Sequence, residues 1–169
     1  MKDLNINPKF LPFNEVDSWY FIYTGGRGSG KSYAIAGALV YLSLTSNQTI
    51  LFTRYTLRSA AISIIPEFKD KLETMGIMHL FKITRDEIIN ISNGSKILFR
   101  GIKTSSGDQT ANLKSLQGIT TWVMDEAEEL IDESIFDKID LSVREKSADN
   151  RVILILNPAT KEHWIYQRF

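Results

Sequence analysis

The stretch YTGGRGSGKSY, from Tyr23 to Tyr33, holds four glycines among its first eight residues, followed by a lysine and a serine. Glycine is unfavourable inside helices and strands, so this density predicts a turn with unusual backbone angles. An apolar, aromatic-rich run precedes the turn (WYFIYTG, 19–25), and a segment with alanine and leucine at helical spacing follows it (KSYAIAGALVYLSL, 31–44). Strand, glycine loop and helix occur in the order that a phosphate-binding loop requires.

The loop matches the pattern G-x-x-x-x-G-K-[ST]. The residues expected to surround the phosphates are Gly25, Gly26, Arg27, Gly28, Ser29, Gly30, Lys31 and Ser32. Glycines let successive backbone N–H groups point at a phosphate, and the helix N-terminus adds partial positive charge. Lys31 is expected to reach the β and γ oxygens of ATP, and the Ser32 hydroxyl to bind Mg²⁺. A lysine stands where a dinucleotide-binding loop has its third glycine, which favours a nucleoside triphosphate. The alternative is a flexible glycine loop.

The rest of the chain alternates between strand and helix signals. Strands are predicted in TILFTRY (49–55), ITTWVMDEAEEL (119–130) and RVILILNP (151–158). Helices are predicted at 59–76 (bent or broken near Pro66), 132–145 and 160–169. Asn93-Gly94 lies between two alternating runs in 87–101, which predicts an antiparallel hairpin, a flap on the main sheet. Together these signals indicate an α/β P-loop NTPase fold with a mostly parallel sheet flanked by helices.

Two carboxylates end the apolar strand at 119–130. Asp125 is placed to hold the water shell of Mg²⁺, and Glu126 directly after it is the candidate general base for an attacking water. Glu128 and Glu129 are interpreted as a solvated helix start, where acidic residues favour the helix dipole.

The sequence leaves two interpretations open for each of four further polar residues. Asn157 ends the next strand, so its side chain either bonds the water or γ-phosphate or is part of an Asn-Pro turn that stops the strand. Arg27 either reaches the γ-phosphate, as an arginine finger does, or forms a salt bridge that props the loop. Arg54 and Arg58 face the same edge, either as phosphate sensors or as ordinary ion-pair partners.

Composition and charge limit which kinds of site, partner and cellular location are expected. Lys+Arg and Asp+Glu both number 20, but residues 1–110 hold 13 basic and 9 acidic side chains, so a basic surface for DNA is possible on that part. With no cysteine, disulfides and thiolate metal sites are excluded. His79 and His163 are far apart and are read as surface or packing residues. The N-terminus has no apolar signal core, and no apolar run is long enough to span a bilayer, which favours a cytosolic protein without a membrane partner.

Taken together, GGRGSGKS, the strand with Arg54, NLKSLQGITTWVMDEAEEL, and ILILNP followed by HWIY resemble the large terminase subunit of tailed phages and prophages. The resemblance covers the whole chain, 1–169, as that family's N-terminal ATPase domain in a truncated chain that lacks the C-terminal nuclease domain. It implies an ATP-driven motor that moves double-stranded DNA into a preformed capsid, through sequence-independent contacts to the DNA backbone. It further implies a portal and a small terminase subunit as partners, a ring of subunits when assembled, a monomeric isolated fragment, and the cytoplasm of an infected bacterium.

The resemblance also assigns roles. Gly25–Ser32 would be the Walker A loop with Arg27 facing the phosphate, and Asp125 and Glu126 would be Walker B and the catalytic carboxylate. Asn157 would fall in the motif that couples hydrolysis to movement.

Many family members place an arginine before Walker B and offer it to the neighbouring subunit's ATP. Lys114 occupies about that place here, and lysine is a poor substitute for a planar, bidentate donor. Upstream aromatic residues contribute to the adenine pocket in this family, so Phe10, Phe13, Trp19 and Tyr20 have either that role or a core role.

Two other functions remain open from the residues. One is a Walker-type ATPase of the helicase or recombinase kind, which shares the adjacent carboxylates. The other is a nucleotide-binding switch that holds ATP without turnover, against which Glu126 argues, since such a module needs no base.

Overall fold

A computed structural model describes residues 4–11, 17–56, 63–104, 107–108, 113, 116–146, 149–158 and 160–169. The strands are β1 (Tyr20–Thr24), β2 (Thr49–Thr56), β3 (Phe81–Ile83), β4 (Glu87–Asn90), β5 (Lys96–Thr104), β6 (Gly107–Asp108), β7 (Thr121–Asp125) and β8 (Arg151–Leu156). The α-helices are α1 (Lys31–Thr45), α2 (Ile65–Thr74), α3 (Glu133–Asp140) and α4 (Trp164–Arg168). Across these described ranges, no helix is long and apolar enough to cross a membrane.

The described strands form one mostly parallel sheet in the order β1-β8-β7-β2-β5-β4-β3, with β6 paired to β5. β8 lies between β1 and β7, since Ile153 is in register with both Phe21 and Val123. Neighbours from β1 to β5 are parallel, whereas β3, β4 and β6 run antiparallel to their partners. The predicted fold class is confirmed. Because the carboxyl ends of parallel strands meet at one edge, the segments after β1, β8, β7 and β2 converge there.

Helices cover both faces of the sheet. Successive residues of a strand point to opposite faces, so Phe52 and Val123 pack in the core with α1 and α2. Leu51 and Trp122 pack on the other face with α3 and α4. β7 and β8 are buried along their whole length, which explains why they read as continuous apolar runs rather than alternating ones.

The helix predicted at 59–76 is described from residue 63 onwards, and Ser63 and Ile64 are in a π-type helical turn. α2 starts at Ile65 with Pro66 in its first turn, where the missing N–H of proline needs no partner. Pro66 therefore lies at the junction between the π-type turn and α2. Residues 59–62 lie outside the described residues.

β4 and β5 form the predicted hairpin, with a loop over 91–95 in which Gly94 has φ +79°. The expectation of a flap on the main sheet is wrong, because β5 also pairs in parallel with β2 and so extends the sheet itself. β3, which adds a further strand, is only three residues long, so its Phe-Lys-Ile alternation is too short to predict a strand.

The hairpin loop also contacts the C-terminal end of α1. The side-chain amides of Asn90 and Asn93 each donate to the carbonyl oxygen of Ser43 at 2.9 Å. The last carbonyls of a helix have no intrahelical partner. The hairpin loop therefore caps the helix that follows the glycine loop.

Candidate active site

The glycine loop joins β1 to α1 at the carboxyl edge of the sheet. Gly28 and Gly30 have φ values of +73° and +80°, a region that other residues rarely adopt. Gly30 is the N-cap of α1, so the amides of the first helical turn have no intrahelical acceptor. Their dipoles and the partial positive charge of the helix end favour an anion at this position.

Lys31 folds back onto the loop. Its side chain is buried, and its ammonium group donates to Gly25 O at 2.5 Å, Gly26 O at 3.0 Å and Ser29 Oγ at 3.2 Å. A fourth contact, 3.4 Å long, reaches Asn157 Oδ1. Because a buried ammonium needs acceptors, the loop carbonyls and Asn157 together hold Lys31 inside the predicted phosphate cradle.

Asp125, at the end of β7, is almost fully buried and uses its two oxygens differently. Oδ1 accepts from Ser32 Oγ at 3.0 Å. Oδ2 accepts from Arg54 Nε at 2.9 Å and Nη2 at 2.7 Å, and Arg54 Nη1 donates to Ser63 Oγ at 2.9 Å. Arg54 was predicted to be either a phosphate sensor or an ion-pair partner, and the structure shows the ion pair with Asp125. A buried carboxylate is tolerated when a guanidinium neutralises it in this way.

Glu126 has a strained backbone, with φ 56° and ψ 46°, a region that costs non-glycine residues about 1–2 kcal/mol. Its Oε1 lies 3.3 Å from Arg54 Nη2. Burial raises the pKa of Glu126, Arg54 acts in the opposite direction, and Asp125 adds to the increase. A carboxylate of raised basicity at a partly exposed position suits a general base.

Asn157 follows β8 and connects two charged groups. Its Oδ1 faces Lys31, and its Nδ2 donates to Glu128 Oε1 at 2.6 Å. The interpretation of Glu128 as solvated is therefore wrong, whereas Glu129 is exposed as expected. His163 Nε2 lies 3.1 Å from Glu128 O, so this histidine is a packing residue. No local sequence signal marks the contact between Asn157 and Glu128, because it depends on β8 lying beside β7.

A pocket of about 230 Å³ opens at this edge of the sheet. It is lined by Arg27, Gly28, Lys31, Ser32, Asp125, Glu126, Ile155, Leu156 and Asn157. Arg27 is exposed and makes no ion pair with any carboxylate of the described residues, so the salt-bridge reading finds no partner there. Lys114 and Arg58 lie outside the described residues.

The described N-terminal aromatic residues lie at different edges of the sheet, and the Phe10 ring packs against Tyr23 just before the glycine loop. Phe10 is buried in the core beside α1. Trp19 Nε1 and the Tyr20 hydroxyl donate to Asp140 on α3, at 3.4 and 2.9 Å, near the start of β1 and thus at the opposite edge from the loop. The core role fits Phe10, whereas Trp19 is exposed and Tyr20 is partly buried. Phe13 lies outside the described residues.

The sequence profile of the phage terminase large subunit family matches residues 17–169. The chain belongs to this family. The terminase chain is 28% identical over 167 residues to the PBSX phage terminase large subunit of Bacillus subtilis strain 168. That alignment covers 97% of this chain and 37% of the relative, so the chain spans well under half of the relative's length.

Solved structures share the fold of this terminase chain. The large terminase of a thermophilic bacteriophage gives a TM-score of 0.73 at 18% identity, over 94% of this chain and 38% of that chain. The same phage terminase has been solved in complex with ADP and with ATP-γ-S. The bacteriophage Phi-29 genome packaging motor assembly gives a TM-score of 0.69 at 16% identity, over 99% of this chain and 52% of that chain.

Proposed function

We propose that residues 1–169 form the ATPase domain of a motor that uses Mg²⁺-dependent ATP hydrolysis to move double-stranded viral DNA into a procapsid. The observation that carries the proposal is the meeting of Lys31, Asp125, Glu126 and Asn157 around one pocket beside a phosphate-type loop. ATP is the proposed substrate because a large terminase of the same fold binds ADP and ATP-γ-S.

Binding of a triphosphate requires Lys31 to exchange partners. Its ammonium group, held by Gly25 O and Gly26 O, turns to the β and γ oxygens, which carry full negative charge and are stronger acceptors. The amides of the first turn of α1 and the helix end bind the same phosphates. Arg27, which has no competing ion pair among the described residues, adds a guanidinium to the γ-phosphate.

Hydrolysis needs a base for the attacking water, and Glu126 supplies it. The water oxygen forms a bond to the γ-phosphorus, its proton passes to a Glu126 oxygen, and the bond from the γ-phosphorus to the bridging oxygen of ADP breaks. Arg54 contacts both Asp125 and Glu126, so it holds the two carboxylates in a fixed relation to each other.

The residues present fit a Mg²⁺ ion. Neighbouring oxygen ligands of an octahedral Mg²⁺ lie about 2.9 Å apart for bond lengths of about 2.05 Å, and Ser32 Oγ and Asp125 Oδ1 are 3.0 Å apart. Both are hard oxygen donors, which Mg²⁺ prefers. Ser32 and Asp125, the latter directly or through water, would hold the ion, which neutralises charge on the phosphates when bound.

The partners follow from the family. We propose sequence-independent contacts to the DNA backbone, which weaken as salt rises, and a ring of subunits that works with a portal and a small terminase subunit in the cytoplasm of an infected bacterium. In such a ring Lys114 is the candidate group offered to the neighbouring subunit's ATP.

The test is Mg²⁺-ATP turnover per subunit across a wide range of protein concentration. Glu126→Ala should abolish turnover and keep ATP binding, because the base is lost while the phosphate contacts remain. Lys31→Ala should weaken both. Glu129→Ala is the matched control, since this exposed carboxylate lies in the same turn.

Equal turnover by Glu126→Ala and the unchanged chain would sink the proposal. Turnover per subunit that rises with concentration would mean that a neighbour completes the site and would make Lys114 the next variant. A constant rate that depends on Glu126 would mean a site complete in one subunit, with Arg27 as its finger.

A further inference from the structure

We propose that Glu128 is a positioning residue that fixes the side-chain amide of Asn157, so that its oxygen Oδ1, rather than its NH₂ group, faces the nucleotide pocket. The inference rests on the proposed ATP hydrolysis and deepens it. It assigns Asn157 to the attacking water and not to the γ-phosphate.

Glu128 is held in place through its backbone. It lies in a 3₁₀ turn, Ala127–Glu129, directly after the general base. The imidazole of His163 contacts the carbonyl of Glu128 at 3.1 Å, and Trp164 Nε1 donates to Leu130 O at 2.5 Å. The start of α4 therefore contacts the backbone at Glu128 and two residues after it, which holds the turn that carries the Glu128 carboxylate.

The Glu128 carboxylate is committed to Asn157. Oε1 accepts from Asn157 Nδ2 at 2.6 Å. Oε2 is buried and has no hydrogen-bond partner within the described part of the chain. Hydrogen bonds to an ionised acceptor are shorter and stronger than neutral ones, so this contact outweighs a neutral alternative for the amide.

The chemistry of the two neighbours permits a single amide orientation. A carboxylate can only accept hydrogen bonds, an ammonium can only donate them, and an asparagine side chain offers one group of each kind. With Glu128 on one side and Lys31 on the other, Nδ2 must face Glu128 and Oδ1 must face Lys31. A rotated amide would set donor against donor and acceptor against acceptor.

This orientation decides what Asn157 can do in the pocket. Phosphate oxygens are acceptors and cannot bond Oδ1, whereas a water molecule can donate to it. When Lys31 turns to the phosphates, Oδ1 remains as an acceptor beside the pocket that Glu126 also lines. The attacking water then donates a hydrogen bond to Oδ1 and transfers its other proton to Glu126, which fixes its direction of attack.

The first test needs no turnover. In the ¹⁵N-labelled chain, the Asn157 NH₂ signals are identified by their loss in Asn157→Asp, and their hydrogen exchange is measured. We expect slow exchange in the unchanged chain and in Glu129→Gln, fast exchange in Glu128→Gln, and no change in exchange when ATP-γ-S binds. If ATP-γ-S binding changes the hydrogen exchange of the Asn157 NH₂ group as Glu128→Gln does, the proposal is overturned. The NH₂ group would then have left Glu128 for the phosphate.

The second test separates turnover from binding. Glu128→Gln should lower kcat by about 10-fold or more while changing ATP-γ-S affinity by less than about 2-fold, since its amide lets Asn157 rotate; Glu129→Gln should change neither. The double variant Glu128→Gln with Asn157→Asp should turn over faster than Asn157→Asp alone. In the double variant, the amide introduced at position 128 donates to the carboxylate introduced at position 157, which faces the pocket.

A loss of ATP-γ-S affinity as large as the loss of kcat would contradict the inference and place the NH₂ group on the phosphate. A double variant as slow as the product of the single effects would contradict it as well. Failure of the proposed function has a different signature: an unchanged chain that does not hydrolyse ATP, with the exchange experiment still deciding the amide orientation.

Discussion

The two edges of the parallel sheet differ in chemistry. At the carboxyl edge, charged side chains from several elements contact one another around a pocket of about 230 Å³. At the amino edge lies a much larger groove, about 1110 Å³, lined in part by Thr49, Thr120 and Arg151. Charged side chains also line this groove, among them Glu145, Lys146 and Asp149. The hydrogen bonds between the strand starts, however, join neutral groups: Thr120 Oγ1 donates to Gln48 Oε1 at 2.5 Å, and Gln48 N donates to Ser95 Oγ at 3.0 Å.

The convergence of Lys31, Asp125 and Glu126 beside the glycine loop, rather than the size of the groove, distinguishes the candidate active site. Neutral contacts at the amino edge link the starts of neighbouring strands and fix their register. The contacts at the carboxyl edge involve charges that a phosphate or a Mg²⁺ ion can replace. Substitutions at the two edges should therefore distinguish residues that contribute to stability from residues that are needed for turnover.

The largest effect is expected for Arg54→Met. It leaves the buried Asp125 carboxylate without its guanidinium, and the free energy of unfolding should fall by about 3 kcal/mol. Urea denaturation with and without Mg²⁺ checks this, because Mg²⁺ should stabilise the variant more than the unchanged chain by supplying the missing positive charge.

Arg100→Met is the matched control for Arg54. The carboxylates of its partners, Asp86 and Glu87, are 43% and 32% exposed, and such ion pairs contribute about 1 kcal/mol or less. If Arg54→Met loses no more unfolding free energy than Arg100→Met, the buried ion pair of Arg54 contributes no more to stability than an exposed ion pair.

A smaller effect is expected for Thr120→Val at the amino edge. The change leaves the buried Gln48 Oε1 and the Thr49 amide without the Thr120 hydroxyl, which should cost about 1–2 kcal/mol of unfolding free energy. Turnover should stay within about 2-fold of the unchanged chain, because the site lies at the other edge.

Thr45→Val is the control, since Thr45 is exposed and its hydroxyl bonds the carbonyls of its own helix. Its stability should change by less than about 0.5 kcal/mol. A large loss of turnover in Thr120→Val would show that the amino edge takes part in function after all.

The smallest effect concerns the strained backbone of Glu126. Glu126→Gly should be more stable than Glu126→Ala by about 1 kcal/mol, because glycine adopts the left-handed conformation without the Cβ clash. Both variants lose the carboxylate and its contact with Arg54, so the difference in their urea midpoints reports the backbone strain.

The opposite order is expected at Lys69, an exposed position inside α2. There Lys69→Gly should be less stable than Lys69→Ala by about 1 kcal/mol. Equal stability of the two Glu126 variants would mean that the turn relaxes once the carboxylate is removed.

The sequence predicted those parts of the molecule whose residues are contiguous. Gly25 to Ser32 lie in one continuous stretch, and Asp125 and Glu126 directly end an apolar run, so local patterns and the rule for parallel strands were sufficient. The strands and helices around them were predicted for the same reason, with ends that shifted by a few residues.

Contacts between distant segments were not predicted. The bond from Asn157 to Glu128 depends on β8 pairing beside β7, and a run of acidic residues gives no sign of which one is buried. The contacts of Lys31 with its own loop depend on the burial of its side chain. Each of these outcomes follows from strand order or packing, which no short stretch of sequence encodes.

Helix α1 is fixed at both ends by different parts of the sheet. Its first residue is Lys31 of the glycine loop, and its last carbonyls receive the amides of Asn90 and Asn93 from the hairpin loop. Fifteen residues make a rod of about 22 Å. A tilt of about 5° at the glycine loop therefore displaces the far end by about 2 Å. Movement at the glycine loop would in this way be transmitted along α1 to the hairpin between β4 and β5.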